Sequence, residues 1–306
     1  MSWHLYSWTF QLRSPLHIGS QKIMHFVKTR PYASGKLLWG ALTSKLTPLL
    51  GIKNYYRVGN FLKKAMRFGY LYPYVNNHLF LPRYTEKGLM FDSLPQNGFE
   101  KKLVRSMTSA AIDLYTLSAE EGMLHEIEFV SPYTIDKGEP VFMKGLFWVK
   151  EFSENGFSMN RKNNSLLIKY NDVNIDFTED LANILQIGGE RRYGFGLIEL
   201  SKETFCEIGN RRLDRFSGVW SENVEGVCLT FESNQPIWSH ILHSDKICIK
   251  GNIEPLVGRD WDVKKGSGRR LNALGLFWSP GSIIKKKMTF KINEFGLLLD
   301  LNFVRS

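Results

Sequence analysis

Ile187–Leu200, IGGERRYGFGLIEL, brings together four glycines (Gly188, Gly189, Gly194, Gly196), the arginine pair Arg191–Arg192 and the aromatics Tyr193 and Phe195. Glycine takes positive φ without a Cβ penalty and lets another chain approach closely. Arginine adds a charge that does not titrate and a planar fork that matches phosphate oxygens. The combination reads as a loop able to touch a phosphate backbone, with glycine N–H groups and guanidinium groups turned toward it. A plainer reading is a helix C-cap followed by a solvated turn. The residues around the loop decide between the two.

The chain has 306 residues, 43% of them hydrophobic and 13% aromatic, with a formal net charge of +10. That length supports one large domain or two, and the composition is that of a chain with a packed core. The positive balance favours an anionic partner, nucleic acid before a membrane surface. Cys206, Cys228 and Cys248 have neither CxxC spacing nor histidines at zinc spacing, so no metal site is expected and all three read as buried thiols. The N-terminus is too polar for a signal peptide, and no apolar run reaches the ~18 residues of a membrane span. A reducing cytoplasm is the expected location, with no membrane partner and no cofactor.

Residues 3–13 alternate apolar and polar as a strand does. Helical spacing of Leu37, Leu38, Ala41, Leu42 and Leu46, with Ser34 at the N-cap position, predicts a first helix. A second covers Tyr55 to Phe68. Residues 69–91 read as a hairpin turning at Asn76–Asn77, and residues 92–102 as a loop and a short charged helix. Strands are expected over MLHEIEFV, over EPVFMKGLFWVKEF, and in a hairpin turning at Asn171–Asp172. Residues 151–164 read as an exposed loop, and residues 178–187 as a helix leading into the glycine loop. Strands resume after the charged stretch 201–222, where a domain boundary is expected. Elements mixed without a βα repeat imply an α+β protein with antiparallel sheets and helices on one face.

Five segments fall in a telling order: LRSPLHIGS, SGKLLWGAL, RSMTSAAIDLYTLSAEEGMLHEIEFV, GGERRYGFG and SPGSIIKKKMTF. Together they resemble the RAMP superfamily of CRISPR-associated proteins. The late PGSIIKK and the long tail after the glycine loop resemble the handle-binding Cas five group of type III effectors. The resemblance implies two ferredoxin-like (RRM-like) domains, 1–205 ending in the glycine-rich loop and 206–306. It implies a non-catalytic subunit that grips the 5′ handle of the CRISPR RNA. The partners implied are backbone RAMP subunits and the large Cas ten-type subunit.

The RNA-binding residues expected on this basis are Gly188, Gly189, Arg191, Arg192, Tyr193, Gly194 and Gly196 in the loop. Arg105, Ser106 and Thr108 join them from the middle segment, and Lys36 from YASGK, which departs from the proline-glycine-serine turn of many relatives. Lys264, Lys265, Arg269 and Arg270 come from RDWDVKKGSGRR, where basic residues, glycine and Trp261 suit a single strand. Phe195 reads as a core residue. Lys285–Lys287 read as the start of a solvated edge strand. The alternative functions are a metal-independent RNA-processing endoribonuclease using His17 or His25 as acid or base, and a backbone subunit that cuts target RNA. Asp113 lacks a neighbouring acidic cluster for metal catalysis, and His240 and His243 lack a third ligand.

Overall fold

The computed structural model describes residues 2–301, except 114, 117, 119–123, 163–164, 225, 245 and 263–265, and gives no side-chain account of 259–262 and 266–269. The strand β1 (Trp3–Leu12) lies at the centre of an antiparallel seven-stranded sheet. Phe142–Lys150 flanks it on one side, followed by β4 (Met66–Val75) and β5 (His78–Leu79); Trp3 faces Lys150 and Gln11 faces Phe142. On the other side Leu197–Leu200 pairs with Phe10–Leu12, and Cys206–Ile208 pairs with Leu5–Ser7. A second seven-stranded sheet holds Val219–Asn223, Gly226–Phe231, Met288–Ile292, Leu298–Asp300, Ile241–Leu242, Gly266–Trp278 and Ile253–Asp262, antiparallel apart from a parallel contact between Ile241 and Leu298. The chain is α+β, as its pattern predicts.

Side chains alternate across a strand, and in β1 both sets are buried. Tyr6, Trp8, Phe10 and Leu12 enter one core, beneath helices α1 (Gly35–Leu49) and α2 (Tyr55–Ala65). Trp3 and Leu5, with Tyr70, Tyr72, Leu146 and Trp148 of the neighbouring strands, enter a second core shared with Trp238, Phe231 and Phe290 of the second sheet. Trp148 stacks on Trp238 with ring centres 6.4 Å apart. The centre of the first sheet is therefore covered on both sides, by helices on one and by the second sheet on the other.

A polar network crosses the same boundary. Arg30 pairs with Glu254 at 2.7 Å, and Glu254 accepts a 2.8 Å hydrogen bond from Nε2–H of the buried His240. The Tyr70 hydroxyl donates to His240 Nδ1 at 2.7 Å. Burial pushes His240 below its ordinary value against the pull of Glu254, so the ring stays neutral, which fits its tautomer. Burial also pushes the Glu254 carboxyl up, but the His240 hydrogen bond and the Arg30 charge outweigh it and hold the group at about 2.

Several elements depart from the sequence reading. Residues 178–187 form no helix: Asp176 caps a single turn, Phe177–Leu181, and Ile184–Gln186 is a strand closing the sheet against Leu197–Leu200. Residues 151–164 are no exposed loop: Phe152–Glu154 and Phe157–Lys162 form a hairpin through Asn155–Gly156, with Phe157 and Met159 in the core. Helix α2 stops at Ala65 because the next residue starts β4. Lys285–Lys287 precede Met288–Ile292, and that strand is interior, between Gly226–Phe231 and Leu298–Asp300. Of the cysteines only Cys228 is buried; Cys206 and Cys248 are exposed. Among the described residues no helix is long and apolar enough to cross a membrane, and no cluster could hold a metal ion.

Glu254 is charged in the fold below its ordinary value of 4.5, so the stability it contributes is complete above that pH and is lost as pH falls toward about 2. Glu254→Gln leaves Arg30 half-buried without its anion, a loss of about 3 kcal/mol in urea unfolding at pH 7. The gap between variant and parent narrows as pH drops through 4.5; a gap that is constant with pH would contradict this role.

Candidate nucleic-acid interface

The glycine loop is held at its base by the turn after β1. Gly189 N–H donates to the His17 carbonyl at 2.9 Å, Gly196 N–H to Pro15 at 2.7 Å, and Leu197 N–H to the Ser14 hydroxyl at 2.9 Å. Gly188 and Gly196 have φ of 81° and 79°, and a Cβ on either would overlap the carbonyl oxygen of His17 or Ile187. Between them Arg191–Tyr193 forms one 3-10 turn, closed by Gly194 N–H on the Arg191 carbonyl. Gln186 Nε2 donates to the carbonyls of Arg191 and Phe195 at 3.0 Å each. The N–H groups of Gly189, Gly194 and Gly196 are thus spent within the protein, contrary to the expectation that they face a ligand. These glycines shape the loop, and its side chains are what it presents.

Arg191 and Arg192 are exposed, and among the described residues neither has an ion-pair partner. Tyr193 is 70% exposed, whereas Phe195 is buried edge-on against Phe129. That contact joins the loop to a four-stranded sheet made of β2 (Gly19–Ile23), β3 (Phe26–Thr29), His125–Val130 and the edge strand Val104–Ser109. Helix α3 (Gln96–Leu103) feeds that edge strand. Arg105 is directly opposite Phe129 in register, and facing residues of an antiparallel pair share a side of the sheet. Arg105 therefore stands on the side that meets the loop. Ser106 and Thr108, opposite Glu128 and Glu126, stand on the other side. There a cleft lined by Lys28, Tyr84, Glu100, Glu128 and Glu254 carries more carboxylates than cations, a poor bed for phosphate.

The remaining expected residues lie elsewhere. Lys36 is in the first turn of α1, over the Phe295 ring and against Gly258. Arg270 is exposed on a long hairpin, Ile253–Asp262 with Gly266–Trp278. Lys264 and Lys265 lie outside the described residues, as does the side chain of Arg269. His17 is buried, with Nδ1–H donating to the Glu128 carbonyl at 2.6 Å and the ring against Gly189. His25 is exposed at the far tip of the β2–β3 hairpin. The two histidines are not brought together, and His17 supports the loop. Asp113 is half-buried and accepts from Tyr115 N–H in a local turn. The sequence reading missed His240 as a network centre, which only side-chain contacts between distant segments reveal, and the link of Arg105 to the loop through Phe129 and Phe195, which strand register reveals.

No protein-family model and no curated protein matches the chain. Among solved structures it is similar to a chain in the cryo-EM structure of the Type III-B Cmr-beta bound to cognate target RNA, with TM-score 0.50, 14% identity, and 91% of this chain and 86% of that chain covered. A chain of Cmr-beta bound to cognate target RNA and AMPPnP gives 0.49, 14%, 92% and 86%. The chain shares its fold with a Cmr-beta chain. Identity this low speaks to fold, so function rests on the residues.

The two glycine classes separate in stability. Gly194 has φ 82° but open space around it, so Gly194→Ala costs about 1 kcal/mol from backbone conformation alone. Gly196→Ala adds a steric overlap and costs about 3 kcal/mol or more in denaturant unfolding. Equal losses would mean the loop is not built on Gly196.

Proposed function

We propose that this chain is a non-catalytic RNA-binding subunit of a type III CRISPR effector complex. It grips the 5′ handle of the CRISPR RNA and caps the backbone beside the large Cas ten-type subunit, in the cytoplasm. The observation that carries the reading is the pair of exposed guanidinium groups of Arg191 and Arg192, without an ion-pair partner among the described residues, on an anchored loop joined through Phe195 and Phe129 to Arg105. The fold shared with a chain of an RNA-bound Type III-B Cmr-beta complex supports it. In this reading 1–205 is an RRM-like domain ending in the loop and 206–306 is a second one.

Arginine pairs phosphate with two parallel N–H donors, and Tyr193 offers an open ring for a base. Contacts of this kind follow backbone and shape more than sequence. His17 is engaged by the Glu128 carbonyl and the loop, so its part here is to hold the arginines in place rather than to move protons.

Binding of repeat-handle RNA to the purified chain, followed by anisotropy across a salt series, tests the reading. Arg105→Ala/Arg191→Ala/Arg192→Ala should weaken binding at least tenfold and lower the salt slope by about 2, at ~0.7 per single-strand phosphate contact. Unchanged affinity and slope would sink it. Metal-free cleavage of the RNA, abolished by His17→Ala or His25→Ala, would favour the endoribonuclease instead.

A further inference from the structure

A second group of cations lies at the other end of β1, which is ten residues long and so places Trp3 roughly 30 Å from the loop's anchor at Pro15. Lys63 Nζ lies 4.7 Å from the centre of the Trp39 ring and 4.9 Å from that of Phe295. Arg67 covers Trp3 at 4.7 Å, and Lys150 lies over Trp3 at 5.2 Å and over Phe152 at 5.3 Å. Arg67 Nη1 donates to the carbonyls of Lys63 and Met66 at 2.6 and 2.8 Å, tying the two halves together.

Three features point to a missing anion. Among the described residues Lys63, Arg67 and Lys150 enter no ion pair, although eleven other pairs stud the chain. Arg67 Nε is buried with no hydrogen-bond partner, a costly state for a charged donor. Arg67 and Lys150 share one ring as like charges, and burial followed by that mutual repulsion lowers the Lys150 pKa. Three carboxylates of this region are engaged elsewhere or act only from a distance. Glu222 accepts from Trp3 N–H, Glu154 pairs with Lys64, and Glu294 acts on Arg67 only at a distance.

We infer that Lys63, Arg67 and Lys150, pinned on Trp39, Phe295, Trp3 and Phe152, form a second phosphodiester-binding surface for a single RNA strand, at the end of the sheet opposite the glycine loop. The inference rests on the reading of the chain as RNA-binding and extends it to a second grip. Ring-stacked cations lose little further rotamer freedom on meeting a ligand. Each phosphodiester offers free oxygens to two cations at once, whereas carboxylates on an extended peptide alternate sides. Cations interleaved with flat rings are the combination single-stranded nucleic acid uses.

The test compares the full chain with Lys63→Gln/Lys150→Gln, with Arg191→Ala/Arg192→Ala and with the quadruple variant. The probes are a 20-nucleotide oligouridylate and, separately, polyglutamate. Glutamine keeps the aliphatic stems on the rings, and matching melting temperatures check folding. The expected result is a roughly tenfold weaker RNA affinity for the lysine variant, a salt slope lower by about 1.4 for two phosphate contacts, and a further loss in the quadruple variant. RNA binding weakened by the arginine variant alone overturns this surface and leaves the loop reading standing. Binding of polyglutamate, but not RNA, lost in the lysine variant overturns it in favour of an acidic protein segment. No RNA binding by the parent chain overturns both.

Discussion

Trp148 stacks on Trp238 behind a sheet whose other side is already filled by Trp8, Phe10 and Phe147. Burial of both faces is the constraint on which the rest depends. Fully burying one large side chain contributes about 1.5–3 kcal/mol, and here Leu5, Tyr70, Tyr72, Leu146 and Trp148 are all committed to the boundary with the second sheet. The cost is that polar groups crossing it need partners. Arg30, Glu254, His240 and Tyr70 supply them to one another, with the histidine neutral and the carboxylate charged. The two sheets are thereby fixed in relation to each other, and so are the surfaces at either end of β1.

Rigidity at the frame decides what the glycine loop can do. The N–H groups of Gly189, Gly194 and Gly196 close a turn or tie back to residues 15 and 17, and Gly188 and Gly196 fit where a Cβ would strike a carbonyl. The freedom left to the loop belongs to three exposed side chains, Arg191, Arg192 and Tyr193. A guanidinium on a fixed turn loses less conformational entropy on meeting phosphate than one on a mobile tail. Arg105 reaches the same side by a separate route, through strand register and the Phe129–Phe195 contact.

Local signals in the sequence were reliable where the chemistry is local. The Asn76–Asn77 turn has positive φ at both residues, and the apolar spacing from Leu38 to Leu46 marks the buried side of α1. Phe195 belongs to the core, as its place before a strand suggests. The failures occur where partners distant in the chain decide. Ile184–Gln186 has helix-like neighbours but is drawn into a strand by Leu197–Leu200. Phe157 and Met159 alternate with polar residues in the strand after the Asn155–Gly156 turn, and that stretch reads as a loop because its apolar residues find their core only in the fold. His240 could not be placed beside Arg30 and Glu254 from spacing, because the three meet only across the sheet boundary. The ring-seated lysines were hidden for the same reason, since Trp3, Phe152 and Phe295 come from three distant segments.

The central claim is that an RNA strand lies against the loop at Arg191–Tyr193 and the edge strand Val104–Ser109. Photocrosslinking the full chain to handle RNA carrying 4-thiouridine, with the modified peptides identified by mass spectrometry, addresses it most directly. The account predicts adducts on Tyr193 or its neighbours and on the peptide containing Arg105. Efficient crosslinking that leaves both peptides unmodified would contradict it.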